Sequence, residues 1–142
     1  MISIRNLQKK IPISSQRIKR VILKTLTQEG AQKSGEISVA LVTDKIIKRI
    51  NRKYLGKNRP TDVMAFNLSE SPQGKFLGEI IISTDTALSN SQKFNTRPQD
   101  EIYLYLIHGL LHLLGYDDNT RKNALKMQKR LEYLCQFIKP KL

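Results

Sequence analysis

The chain is expected to fold as one α/β (α+β) domain over residues 1–142, a single mixed sheet of about four strands covered by about five helices. Three observations carry this. Segments with two-residue apolar alternation or β-branched runs fall within the first 83 residues. Segments of helical period alternate with them and then take over the C-terminal part, giving the order β, α, β, α, β, β, α, α, α. A length of 142 residues supports one core and not two. Strands interleaved with helices in this way describe a sheet packed under helices rather than an all-α or all-β fold.

Ile2 to Ile4 is short and alternating and reads as an edge strand. Ser14 or Ser15 can cap a helix running to about Gln28, with Ile18, Val21, Ile22, Thr25 and Leu26 at helical spacing and Gly30 as its stop. Glu36 to Val42 alternates and is rich in β-branched residues, a strand. Thr43 is placed to cap a second helix that carries Ile46, Ile47, Ile50 and Tyr54 on one face and stops at Gly56. Lys57 to Pro60 is a basic connection, Thr61 to Asn67 a strand, and Ser69 to Gly74 a loop. Leu77 to Ser83 contains three consecutive isoleucines, which predicts a strand buried on both faces. Ser83 or Thr84 starts a third helix to about Lys93. Pro98 fits the first turn of a fourth, with Asp100 and Glu101 near its positive end and Gly115 as its stop after Leu114. A fifth runs from about Thr120 to Ile138.

Composition narrows the class. No apolar run reaches the ~18 residues needed to span a bilayer. Met1 to Lys10 holds no continuous apolar stretch of the kind a signal peptide needs, so a cytoplasmic protein without a membrane is expected. Cys135 is the single cysteine, which excludes a disulfide framework within the chain, fits a reducing compartment, and suggests a small core residue. Net charge is +13 and unevenly placed: residues 1–59 carry 15 Lys and Arg against 3 acids, residues 60–142 carry 10 against 9. A cationic half favours a polyanionic partner, held largely by counterion release from phosphates.

The most informative stretch is His108-Gly109-Leu110-Leu111-His112-Leu113-Leu114-Gly115-Tyr116-Asp117-Asp118. Imidazoles four residues apart on a helix share a face and can reach one ion. A third ligand must come from another direction. Gly115 permits the left-handed turn that brings the chain back, which makes Asp118 the candidate, with Asp117 serving the turn or the surroundings. Three protein ligands, His108, His112 and Asp118, leave a zinc ion one open position, the mark of a catalytic site. The alternative for Asp117 and Asp118 is helix capping before Thr120. The spacing parallels the metzincin pattern, but Gly109 stands where those proteases carry the glutamate base, which counts against a peptidase. The general base stays open.

These residues resemble the motif H-G-x-L-H-L-x-G-Y-D-H of the YbeY-type endoribonucleases, an rRNA maturation factor family, with every position but the last in agreement. Asn51, Tyr54, Gly56, Lys57, Pro60-Thr61-Asp62-Val63 and Phe66 are similar to the family's N-x-x-Y-R-G-K-D-x-P-T-D-V-L-S-F segment, and Leu77-Gly78-Glu79-Ile80 with Ile82 and Asp85 to its L-G-D/E-I-x-I strand. The resemblance covers about residues 37 to 135. It implies a zinc site on the histidine helix, with His108 and His112 as ligands, and a single-strand-specific, metal-dependent endoribonuclease. The implied role is rRNA processing: late 70S ribosome quality control and maturation of the small-subunit (16S) rRNA 3′ end. Two departures stand out. Asp118 replaces the third histidine, which carboxylate chemistry tolerates. Leu55 replaces an arginine that would bind phosphate, leaving Arg52, Lys53, Lys57 and Arg59 as the candidate RNA contacts. The competing expectation is a zinc-stabilised ribosome- or RNA-binding assembly factor with weak or no nuclease activity.

Overall fold

A computed structural model describes residues 1–31, 35–68 and 76–139; the loop expected at Ser69 to Gly74 lies outside the described residues. The elements are β1 (Ile2–Asn6), α1 (Ser15–Gln28), β2 (Gly35–Val42), α2 (Asp44–Leu55), β3 (Val63–Asn67), β4 (Phe76–Ser83), α3 (Thr84–Phe94), α4 (Pro98–Leu113) and α5 (Arg121–Ile138). Among the described residues the strands form one mixed sheet, in the order β1-β2-β4-β3. β1, β2 and β4 run parallel, and β3 pairs antiparallel with β4. No helix of the described residues is long and apolar enough to cross a membrane.

Strand alternation sorts side chains between two layers. Ile37, Val39 and Leu41 of β2 and Ile80 and Ile82 of β4 join the main core with α1, α4 and α5. Ala40, Val42, Met64 and Ile81 face the other way, under Ile47 of α2. The isoleucine run is thus buried on both faces, as its composition predicts. α4 is the central helix, apolar nearly all round, and packs on the sheet, α1, α3 and α5 at once. It lies close because of Gly109: a Cβ there would sit 3.0 Å from Ile80 Cγ2 and 3.3 Å from Val63 Cγ2. The glycine that removes a protease base also brings the histidine helix down onto the sheet.

α2 is tied at both ends. Thr43 is the N-cap residue, as expected, and its carbonyl accepts from the Ile46 and Ile47 N–H groups, but its side chain makes no cap hydrogen bond. Asp85 at the start of α3 accepts from the Asp44 backbone N–H at 2.8 Å, a charge-assisted bond to a first-turn donor. The Asp44 carboxylate in turn accepts from Ser83 and Thr86. Gly56 ends the helix at φ 68°, its N–H donating to the Arg52 carbonyl at 3.2 Å.

Two further expectations are corrected. β3 starts at Val63, not Thr61, because Asp62 makes a turn: its Oδ1 accepts from the Val63 N–H at 2.7 Å. Tyr54, placed by periodicity on the buried face, is 61% exposed. It lies in the last turn of α2, over the edge strand β3, where its ring meets Phe66 edge-on at 5.7 Å.

Candidate metal and nucleic-acid site

His108 and His112 stand on successive turns of α4, and their rings stack with centroids 4.9 Å apart. Their Nε2 atoms are 3.2 Å apart. A tetrahedral zinc ion with nitrogens at roughly 2.0–2.1 Å separates two ligands by about 3.3 Å. The pair therefore fits such an ion with almost no movement. Burial first, and then the neighbouring His112, hold the His108 pKa below the ordinary imidazole value, against the opposing pull of Asp62 and Asp118. The neutral ring is the form that ligates.

The turn after α4 is built from short-range bonds. Gly115 adopts φ 99°. The Gly115 and Tyr116 N–H groups donate to the carbonyls of His112 and Leu111, at 3.1 and 3.0 Å. The Tyr116 hydroxyl donates to Glu29 Oε2 just past α1 at 2.9 Å, and Arg130 of α5 pairs with the same carboxylate. Asp117 accepts from the Asn119 N–H at 3.0 Å and from Asn123 Nδ2 at 2.9 Å. Those bonds, the backbone one foremost, keep its carboxyl below the usual range and commit it to the turn. Asp118 follows, exposed, with its charge felt at His108. Among the described residues no three His, Cys, Asp or Glu side chains are already grouped to hold an ion. The histidines are preformed; Asp118 completes a three-donor set only if its loop draws in.

A groove of about 640 Å³ opens beside His112. Leu55, Lys57, Arg59 and Phe66 are among its walls. Asn51, 2% exposed, fixes the wall by donating from Nδ2 to the Arg59 carbonyl at 2.9 Å. Of the four basic residues singled out in the sequence, Lys57 and Arg59 line this groove, whereas Arg52 and Lys53 line a second cleft on the outer face of α2. Leu55 is 56% exposed in the groove wall.

Three residues that the sequence left without a site role belong to this region. Asp62 acts on His108 electrostatically, and a carboxylate in the block Pro60-Thr61-Asp62-Val63 was a readable signal. Asn51 was in view as the first residue of the family-like segment. Glu29 carried no local sign of a bond to Tyr116, 87 positions away.

The sequence model of a protein family described as "Endoribonuclease YbeY" matches residues 3–139. An "Endoribonuclease YbeY" of Syntrophus aciditrophicus is 41% identical over 139 residues, covering 94% of this chain and 86% of that protein. Another, from Moorella thermoacetica, is 37% identical and covers 96% of each chain. A solution structure of a Thermotoga maritima protein superposes with a TM-score of 0.65 at 29% identity, covering 97% of this chain and 89% of the other.

Proposed function

The chain belongs to the YbeY endoribonuclease family, and from that premise we propose that it is a zinc-dependent, single-strand-specific endoribonuclease of ribosomal RNA processing. The proposed setting is the cytoplasm, with the ribosome as partner, in 70S quality control and maturation of the 16S rRNA 3′ end. The observation that supports this most is the His108–His112 pair, 3.2 Å between Nε2 atoms, beside a groove that also carries Lys57 and Arg59. Lys57 and Arg59 attract and orient the phosphodiester in that groove. His108, whose pKa burial lowers, and His112 are the zinc donors, and Asp118 is the third, delivered by the turn at Gly115. The chemistry zinc supplies at such a site is Lewis acidity toward a phosphoryl oxygen.

One observation favours a second reading, a zinc-stabilised RNA-binding assembly factor: Leu55 is exposed in the groove wall where the family's arginine would stand. His112→Ala separates the two. A variant that folds, binds single-stranded RNA and no longer cleaves it supports the nuclease. A variant that unfolds assigns the ion a structural role, and one that cleaves at the parent rate contradicts the metal-dependent reading.

A further inference from the structure

The outer face of α2 carries more positive charge than the groove needs. Lys45, Lys48, Arg49, Arg52 and Lys53 recur at three- and four-residue spacing, all exposed, and with Asn58 they line a cleft of about 620 Å³. None of the five cations forms an ion pair among the described residues. Five unpaired like charges on one helical face repel one another and weaken the helix. Such a face is explained by an anion that sits on it.

The cleft is contiguous with the groove beside His112. Lys57 and Arg59 line the groove, and Asn58 between them lines the outer cleft, so the 57–59 connection is the wall that the two share. A chain lying in the groove continues onto α2 by crossing that wall. Between a cation of the cleft and a wall of the groove stands Tyr54, 61% exposed, with Lys53 Nζ of the cleft 5.3 Å from its ring centroid and Phe66 of the groove wall edge-on to it. An open aromatic face beside cations is what an unstacked base binds. A duplex keeps its bases stacked inside and offers none.

We infer that the α2 face is a single-stranded RNA track: the strand cleaved beside His112 runs over residues 57–59, sets one base against Tyr54, and lays its phosphates along Lys53, Arg52, Arg49, Lys48 and Lys45. The inference rests on the RNA-cleaving reading of the groove and adds to it a footprint, a direction of exit and a source of strand selectivity.

The test compares binding of a short and a long unstructured RNA, about four and about twelve nucleotides, by the whole protein and by K45Q/K48Q/R49Q. The parent protein binds the long strand at least about tenfold tighter at low salt. The triple variant loses that length advantage, and its plot of log affinity against log salt is shallower by about 2, near 0.7 per lost phosphate contact. Tyr54→Leu lowers affinity for the single strand on the order of tenfold, Tyr54→Phe restores it, and neither changes affinity for a duplex. Thermal melts verify folding of these surface variants. An unchanged length advantage and salt slope in the triple variant overturn the track. So does a triple variant that loses binding to vesicles of anionic phospholipid while keeping its grip on the long RNA. Cleavage of the short strand reads the groove alone: its absence in the parent protein counts against the nuclease and not against the track.

Discussion

Gly109→Ala tests whether α4 lies on the sheet by virtue of its missing side chain. In an open helix interior the change stabilises by about 1 kcal/mol, since alanine is the better helix former. Here the new Cβ meets Ile80 Cγ2 at 3.0 Å and Val63 Cγ2 at 3.3 Å. Carbon atoms settle at about 3.5–4.0 Å, so the two contacts are short by about 0.5 and 0.2 Å. Ile80 cannot withdraw, because it is fully buried in β4 between β2 and β3. Overpacking of this kind costs about 1–3 kcal/mol. Offset by the helix gain, the net is a loss of about 1 kcal/mol, or about 4 °C in Tm for a chain of this length. Urea unfolding followed by circular dichroism measures it, and Gly109→Val, with more volume at the same point, loses more. The adjacent His108 rises with the helix, so the affinity of the proposed zinc site falls in step. A Gly109→Ala protein that is more stable than its parent by the full helix-propensity gain refutes the close-approach argument.

Two other outcomes follow from charge and burial. The Asp85 carboxyl is held below its ordinary value of 3.8, chiefly by the Asp44 backbone N–H. Because the folded value is the lower one, the stability this bond contributes is present above pH 3.8 and is lost as pH falls through the folded value. Asp85→Asn therefore costs about 1 kcal/mol at neutral pH, and the gap from the parent closes in acid; an equal gap at both pH values in urea unfolding contradicts the cap. Burial pushes the Cys135 thiol up to about 11. Alkylation of the folded protein at pH 8 is slow and accelerates only as pH approaches that value, whereas rapid labelling at pH 8 would show an exposed thiolate.

Most of the fold was legible because its signals are local. Ile80–Ile82 announced a two-sided strand, and Gly56 and Gly115 marked helix ends through conformations that glycine adopts readily. What periodicity could not show was where the sheet stops. Tyr54 keeps the helical phase of Ile47 and Ile50 yet lies over an edge strand and stays exposed. A bond supplied from elsewhere in the chain was equally hidden: Asp85 accepts from the Asp44 N–H at the start of α2 across 41 positions. At the site, i, i+4 spacing was enough to bring His108 and His112 together. Asp118 follows a turn, and no spacing rule fixes where an exposed loop carboxylate points. The basic residues divide between two clefts for a similar reason, since 52–53 lie on a helix and 57–59 on the chain that leaves it.

The central claim is that the His108–His112 pair serves RNA cleavage through zinc. It is tested most directly by stripping the protein of metal with a chelator and adding zinc back in steps against single-stranded RNA. The stripped protein is expected to bind the RNA without cleaving it, and cleavage to return as zinc approaches one ion per chain. Full cleavage by the thoroughly stripped protein would contradict it.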